Sequence, residues 1–288
     1  MKLFISKSVT FLFIILGVTI FSFLILSFSS NKTLLKEQTN IIAGDSNTEC
    51  ALNDQKIKSA LNISRSGESY FYTYHKLKYL IQKNENFNKV YLSFSPHNII
   101  NEENRLTSNG RIYNNLIEYL PVLDLESIFY LFKMDKKNAF LSFLKSPIHL
   151  LKNKNVLWGG YLYLTRNNLD KSIRNSKQYY SQNYTQKNID QIEVLYLKEI
   201  STLLDLHDIE LILLNTPKWT EFYKFSNSRE LFEEVYEKYF SEIKFLDFSS
   251  LFSEKEFFGD FMHLNFRGSQ EFTDIFNFKI HQRKIDDN

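Results

Sequence analysis

Residues 41–54, IIAGDSNTECALND, decide the fold, because an apolar run ends at a glycine and a polar run then begins a helix. Short apolar or β-branched runs bounded by turn signals are typical of buried strands. Ser46 therefore projects from a strand-to-helix turn that exposes its hydroxyl. Asp45 and Ser46 are also favoured helix N-caps, so this stretch alone leaves a structural and a chemical role equally open.

Similar runs alternate with helix-period stretches along the chain. This alternation predicts an α/β sandwich with a mostly parallel sheet of about five strands. Ligands then bind at the carboxyl ends of the strands. The predicted strands are 39–43, 61–64, 89–94, 210–215 and 244–248, and the predicted helices are 53–60, 69–82, 189–206 and 228–240.

Residues 100–188 interrupt the alternation and include WGGYLYLTRNN at 158–168. A connection of this length is unusual in a compact domain, so we expect a mainly helical insertion over the sheet edge. The insertion either forms a lid or substrate platform or has no functional role. Its aromatic residues Trp158, Tyr161 and Tyr163 either stack on a carbohydrate or, as is more common, pack in a core.

The N-terminal residues predict a membrane anchor. Residues 8–30 contain no charged residue and follow Lys2 and Lys7. A helix of about 20 apolar residues spans a bilayer, whereas a cleaved signal has an apolar stretch of about 7 to 15. We therefore expect residues 1–30 to be an uncleaved signal anchor and residues 31–288 to be one extracytoplasmic domain. A cleaved signal and a buried core helix are the alternatives. Lys, Asn, Ile, Phe and Tyr are abundant and have A/T-rich codons, which indicates an A/T-rich bacterial genome, so we expect the anchor to lie in a bacterial cell membrane.

The composition excludes several classes of function. The chain has 35 basic and 33 acidic residues, and four lysines but no acid lie within residues 1–36. The remainder is slightly acidic, so nucleic acid is not an expected partner. The eight glycines form no Gly-x-Gly pattern, which excludes the Rossmann and Walker phosphate loops. The single cysteine, Cys50, excludes an internal disulfide and a multi-cysteine metal site. We expect neither a cofactor nor a metal.

A second motif lies near the C-terminus, in FFGDFMHLNFRGSQEF at residues 257–272. Asp260 and His263 follow the last predicted strand and precede a helix. Serine needs a base to accept its proton, and histidine needs a third group that fixes its tautomer. Because the motif follows a strand, as Ser46 does, it lies at the same edge of the predicted sheet as Ser46. Taken alone, the motif is better explained as a surface turn with a helix-capping acid, and only the two motifs together favour the chemical role.

GDS after the first strand, together with Asp-x-x-His near the C-terminus, resembles the SGNH/GDSL hydrolase superfamily. The resemblance implies a flavodoxin-like three-layer α/β fold and a Ser-His-Asp triad that acts on esters. It implies that Ser46 is the nucleophile, His263 the general base and Asp260 the acid that orients it. It also implies an oxyanion hole made by the N–H groups of Ser46 and Gly67 and by the side chain of Asn98.

The resemblance covers the α/β body and leaves out the insertion at 100–188. It departs from the family in the third block, where Gly-x-Asn-Asp is common and this chain has SPHNI at residues 95–99. His97 there is an alternative site residue. Three further residues are candidates for lining the site, namely Asp45, Glu49 and Arg65.

The expected function is an acyl-ester reaction outside the cytoplasm. An acyl-serine intermediate is resolved by water in an esterase and by an acceptor hydroxyl in an O-acyltransferase. The N-terminal anchor is similar to that of superfamily members that work beside membrane-bound O-acyltransferases on surface polymers. This likeness implies a surface or exported polysaccharide and an acyl donor as partners. The rival hypothesis is a non-catalytic protein that binds the polymer or assembles with such an acyltransferase.

Overall fold

The computed structural model describes residues 38–101, 104–142, 157–165, 168–182, 188–220 and 229–286, together with Lys7, Thr10 and Gly17. These residues belong to two compact units. The first, which we call the α/β unit, holds the described residues from 38 to 104 and from 158 onward. The second, which we call the helical unit, includes the described residues between Arg105 and Leu157.

The predicted parallel sheet of five strands is confirmed in the α/β unit. The strands of the described residues are β1 (Asn40–Ala43), β2 (Ala60–Asn62), β3 (Lys89–Ser93), β4 (Ile100–Asn101), β5 (Asn188–Ile189), β6 (Glu210–Asn215) and β7 (Lys244–Asp247). The sheet has the order β2-β1-β3-β6-β7, which is the flavodoxin-like doubly wound order. Ile41 of β1 lies beside Leu61 of β2 and Val90 of β3. Each strand of the sheet ends within two residues of its predicted limit.

The helices include α1 (Ser46–Ala51), α2 (Tyr70–Gln82), α3 (Pro96–Ile99), α4 (Arg111–Tyr119), α5 (Leu125–Met134), α6 (Leu169–Gln182), α7 (Gln191–Asp205), α8 (Arg229–Tyr239) and α9 (Phe266–Asp286). Residues 136–142 are also helical. Single 3-10 turns lie at Asp54–Lys56, Ser108–Gly110, Leu120–Val122 and Lys255–Phe257. Thus α2, α7 and α8 lie where helices are predicted.

The helix predicted at 53–60 is wrong, because only the 3-10 turn forms there. The buried side chain of Asn62 explains why α1 does not continue into residues 53–60. Its Nδ2 donates to the carbonyls of Thr48 and Leu52 at 3.1 and 2.8 Å. The carbonyl of Leu52 is one that a longer helix would satisfy itself, whereas that of Thr48 already accepts from the N–H of Leu52. A side chain from β2 therefore replaces the continuation of the helix.

The sheet is covered on both faces, which makes the α/β unit a three-layer structure. Ile41 and Ile42 are both fully buried, although neighbouring residues of a strand point to opposite faces. One face packs on α9, whose Phe272 and Phe276 share a buried cluster with Ile42 and Leu214. Burial on both faces explains why the strands read as continuous apolar runs.

The predicted insertion begins and ends at one place in the fold. β4 and β5 pair in antiparallel fashion, and the N–H of Asp190 donates to the carbonyl of Ile99 at 2.8 Å. Its described residues contain α4 and α5 in the helical unit and α6 in the α/β unit. In the helical unit, Ile117 and Leu120 pack with Ile128 as a small apolar cluster.

The predicted anchor at residues 1–30 lies outside the described residues, apart from Lys7, Thr10 and Gly17. Within the part of the chain that the structure describes, none of the helices combines the length and the apolar character that a bilayer span requires. The anchor therefore remains a prediction from the sequence.

Candidate active site

Ser46 is the first residue of α1, directly after the turn that follows β1. The side chain of Asp45 caps this helix by accepting a hydrogen bond from the N–H of Asn47 at 3.1 Å. Because Asp45 serves as the N-cap, the hydroxyl of Ser46 is not needed for that role. The structure thus separates the two residues that the sequence alone left as alternative caps.

Asp260 and His263 are held together by a compact loop at the other end of the chain. Oδ1 of Asp260 accepts hydrogen bonds from the N–H groups of Met262 and His263 at 2.9 and 3.0 Å. The N–H of Gly259 in turn donates to the carbonyl of His263 at 2.9 Å. The loop therefore fixes its backbone through contacts among neighbouring residues.

The imidazole of His263 connects the two motifs. Its Nδ1 lies 2.8 Å from Oδ1 of Asp260, and its Nε2 lies 2.8 Å from Oγ of Ser46. A carboxylate only accepts hydrogen bonds, so Nδ1 carries the proton and Nε2 is left to accept from the serine hydroxyl. The side chains of His263 and Asp260 are 16% and 14% exposed, so the dyad is shielded while remaining open to a ligand.

Asp45, which precedes Ser46 in the chain, is only 2% exposed. Its Oδ2 lies 2.7 Å from Nε2 of His97 and accepts from Nδ2 of Asn98 at 3.1 Å. Its Oδ1 accepts from Asn47, as described above, and lies 3.5 Å from Oγ of Ser93. The carboxylate therefore joins the start of α1 to the end of β3 and to α3.

This network also shows where the structure places Asn98 and His97. Oδ1 of Asn98 accepts from the N–H of Ser95 at 2.9 Å, while its Nδ2 donates to Asp45. Nδ1 of His97 lies 2.6 Å from Oγ of Ser95, and its Nε2 faces Asp45. Both side chains thus hold Asp45 in place. The oxyanion role of Asn98 stays a prediction, and one of its two N–H donors is engaged by Asp45.

Gly67 lies in a tight turn after β2. The N–H of Glu68 donates to the carbonyl of Arg65 at 3.0 Å, and Gly67 has a φ of +72°. A turn with positive φ at its third position is a type II turn, which favours glycine there. The N–H of Arg65 donates to the carbonyl of Gly44 at 3.0 Å, which places this turn against the segment that leads to Ser46.

A buried ion pair secures the far side of the same turn. Nζ of Lys76 lies 2.8 Å from Oε2 of Glu68, and both side chains are fully buried. The same ammonium donates to the carbonyl of Ile63 at 2.5 Å. Burial lowers the pKa of Lys76, and the carboxylate of Glu68 opposes that shift. Lys76 on α2 therefore binds the chain on both sides of Gly67.

Glu49 and Arg65 lie at the edge of this arrangement. The carboxylate of Glu49 accepts a hydrogen bond from the hydroxyl of Ser66. Burial raises the pKa of Glu49, although the hydrogen bonds of Ser66 and the charge of Arg65 lower it in part. Both residues thus lie close to the Gly67 turn, and their contact with a substrate stays a prediction.

Sequence reasoning missed Lys218, which lies in the segment TPKW directly after β6. It is 1% exposed, and its Nζ lies 3.4 Å from the carbonyl oxygen and the hydroxyl of Thr216. Burial lowers its pKa to about 8, while the charges of Asp45 and Asp247 act in the opposite direction. The available signal was its place after a predicted strand, at the same sheet edge as Ser46.

The described residues contain no group of three His, Cys, Asp or Glu side chains arranged to hold a metal ion. The chemical groups gathered at this sheet edge are a hydroxyl, an imidazole, carboxylates, amides and a buried amine. They follow β1, β2, β3, β6 and β7, so five different strand ends contribute. This arrangement is suited to moving a proton from a serine and to polarising a carbonyl group.

Comparison with known proteins gives a weak likeness to esterases. A protein-family model matches residues 162–284, which is less than half of the chain and does not establish a family. No curated protein matches the sequence.

Several solved structures match over most of the chain. A protein from Streptococcus pneumonia described as a platelet activating factor is 12% identical, covers 96% of this chain and 98% of its own, and has a TM-score of 0.38. A protein from Bacteroides fragilis described as an acylhydrolase is 9% identical, covers 88% and 93%, and has a TM-score of 0.41. A catalytic mutant of an acetylxylan esterase from Geobacillus stearothermophilus is 10% identical, covers 85% and 94%, and has a TM-score of 0.36. Likeness at this level assigns no activity to the chain.

Proposed function

We propose that the chain is a serine esterase or O-acyltransferase that works through an acyl-Ser46 intermediate. The observation that carries the proposal is the pair of 2.8 Å contacts that His263 makes, one with Ser46 and one with Asp260. A serine, a base within hydrogen-bond reach and an acid that orients the base are what nucleophilic catalysis requires. These groups lie at the carboxyl edge of a parallel sheet, where α/β proteins bind their ligands.

The first half of the reaction forms the acyl-enzyme. Oγ of Ser46 attacks the acyl carbonyl carbon of the ester as its proton passes to Nε2 of His263. The imidazolium is stabilised by the carboxylate of Asp260 at Nδ1. When the tetrahedral intermediate collapses, the bond to the leaving oxygen breaks and that oxygen takes the proton from Nε2. The products are a free alcohol and the acyl ester of Ser46.

The second half releases the acyl group. A water molecule or an acceptor hydroxyl loses its proton to Nε2 of His263 and attacks the carbonyl of the acyl-serine. The proton then returns to Oγ of Ser46, giving a carboxylic acid with water or a new ester with the acceptor. The two activities therefore share every residue and differ only in the group that attacks second.

Negative charge on the former carbonyl oxygen needs donors that are already in place. We assign the N–H groups of Ser46 and Gly67 to this oxyanion hole, with the side chain of Asn98 as a third donor. The contacts of Arg65 with Gly44 and of Lys76 with both sides of the turn support the assignment, because they fix Gly67 near α1. Loss of one such donor typically costs about 3 kcal/mol in the transition state.

The sequence supports a finer version of the proposal. The uncharged residues 8–30 favour an extracytoplasmic enzyme held at a cell membrane, and the A/T-rich codons favour a bacterial source. The resemblance to anchored members of the superfamily favours a surface or exported polysaccharide as substrate and a membrane-bound O-acyltransferase as partner. A membrane-bound acyl donor would then favour transfer over hydrolysis.

Labelling with a fluorophosphonate tests the proposed function, because this reagent traps serines that an adjacent base activates. We expect the full-length chain to be labelled at Ser46 and expect Ser46→Ala and His263→Ala to lose the label. Ser95→Ala is a matched control, since Ser95 also contacts a histidine that faces an aspartate but is buried. A folded wild-type chain that stays unlabelled in native membranes contradicts the proposal and favours the non-catalytic partner. Label retained in Ser46→Ala contradicts the assignment of the nucleophile.

A further inference from the structure

The segment 158–165, which we call the strap, crosses the α/β unit beside the candidate active site. It begins against the end of β2, where the N–H of Gly160 donates to the carbonyl of Ser64 at 3.1 Å. A Cβ on Gly159 would lie 2.0 Å from that carbonyl oxygen, and its φ is +68°. Only glycine fits this contact, so the backbone of the strap is docked closely on β2.

The strap is then hydrogen-bonded to both halves of the site. The N–H of Leu162 donates to the carbonyl of Glu49 at 2.8 Å, three residues after Ser46. The N–H of Phe266 donates to the carbonyl of Leu164 at 2.9 Å, three residues after His263. Tyr163 lies between these two anchor points, so its backbone is tied to the segments that carry the nucleophile and the base.

The ring of Tyr163 is stacked and exposed. Its centroid lies 5.1 Å from that of Phe266 with an angle of 25° between the ring planes, and the residue is 57% exposed. Tyr161 meets it edge-on at 6.5 Å. The guanidinium of Arg267 lies 5.8 Å from the ring centroid of Phe266. The phenol ring thus has a fixed orientation and an open face, and a guanidinium lies over the ring of Phe266 on which it stacks.

We propose that Tyr163, supported by Phe266, binds a sugar ring of the acylated substrate beside Ser46. This rests on the proposed function and adds the side chains that bind the sugar. The negative face of an aromatic ring attracts the C–H groups on the flat side of a pyranose, while Arg267 and the phenol hydroxyl suit sugar hydroxyls. An acyl chain instead needs an enclosed apolar pocket that buries most of it, and a ring that is more than half exposed does not provide one.

The test compares three esters on the purified full-length chain, namely O-acetylated glucan oligosaccharides, p-nitrophenyl acetate and p-nitrophenyl octanoate. We expect Tyr163→Ala to lower kcat/KM for the oligosaccharides about ten-fold, mainly through KM, and to leave p-nitrophenyl acetate within two-fold of wild type. Tyr163→Phe keeps the ring and should retain most of the oligosaccharide activity, whereas Tyr163→Leu should not. Tyr239→Ala is the matched control, because it removes an exposed tyrosine from the end of α8 that precedes β7.

The outcomes distinguish failure of the sugar platform from failure of the serine esterase activity. A selective loss on the oligosaccharides, rescued by phenylalanine, supports the sugar platform. A loss confined to p-nitrophenyl octanoate overturns it in favour of an acyl-chain contact. Wild-type activity on p-nitrophenyl acetate but none on the oligosaccharides also overturns it and leaves the serine esterase standing. If p-nitrophenyl acetate is not cleaved either, the proposed function itself fails.

Discussion

The two halves of the candidate site are built in different ways. The loop that carries Asp260 and His263 is held by hydrogen bonds among residues 257–265, and its acid is three residues from its base. The turn that carries Ser46 depends on distant partners. Asp45 next to it binds Ser93, His97 and Asn98, which lie 48 to 53 residues further along the chain.

This difference separates the residues that carry out the proton transfer from the residues that stabilise the fold. Changes within the loop of Asp260 and His263 act on the proton transfer and leave the fold largely intact, since both side chains lie partly exposed at the surface. Changes around Asp45 act on the fold, because its carboxylate is buried and joins three elements.

Asp260→Asn should give the largest loss of activity. The amide oxygen at the Oδ1 position can still accept from the N–H groups of Met262 and His263, but an NH₂ group replaces Oδ2, which lies 3.0 Å from Nδ1 of His263. This donor favours the tautomer in which Nδ1 accepts and Nε2 carries the proton towards Ser46, and the neutral amide no longer stabilises the imidazolium. We expect kcat for p-nitrophenyl acetate to fall about 10⁴-fold.

The same variant checks that the loop is locally built. Its urea unfolding midpoint should stay close to that of wild type, because a partly exposed carboxylate is replaced by an isosteric amide. A variant that loses activity together with most of its stability would show that the loop, too, carries the fold.

Asp45→Asn should reverse this pattern and mainly lower stability. An asparagine caps a helix as well as an aspartate does, so α1 keeps its cap. However, the amide oxygen accepts on one side only, and its NH₂ group must face either the donors of His97 and Asn98 or those of Asn47. The change also removes a buried charge near Lys218. We expect a loss of about 3–5 kcal/mol in the free energy of unfolding, measured with urea.

The contrast with Asp260→Asn supplies the control, since the chemical change is the same at both positions. Asp45→Asn that unfolds at the wild-type urea concentration would mean that the network around Asp45 adds no stability. The two halves would then not differ in the way we describe.

The difference between local and distant contacts also explains which features can be predicted from the sequence. The strands and the Asp260–His263 pair are local patterns, so periodicity and short spacings reveal them. Lys218 and the contacts of Asp45 come from chain segments that only the folded sheet brings together, and the sequence gives no distance between them. Asn62, which ends α1 from β2, is a case of the same kind, and it is why the helix predicted at 53–60 is wrong. The sequence shows that the strap is aromatic, but it does not reveal the backbone hydrogen bonds that join the strap to Glu49 and Phe266.

Lys218 offers the smallest effect and tests the buried charge directly. Its pKa is lowered to about 8 in the fold from 10.5, because burial disfavours the ammonium. Below about pH 8 both the folded and the unfolded chain hold this proton, so the full cost of burial is present. Between about pH 8 and 10.5 the unfolded chain binds more protons, and the free energy of unfolding rises with pH, approaching a gain of about 3 kcal/mol. Urea unfolding at pH 7 to 10 should show this rise in wild type and in the exposed control Lys58→Met. Lys218→Met should rise less by this amount, and the rise it keeps comes from other lysines with a lowered pKa, such as Lys76. A constant difference between wild type and Lys218→Met over this range would mean that the lysine titrates normally, and that Asp45 and Asp247 compensate its burial in full.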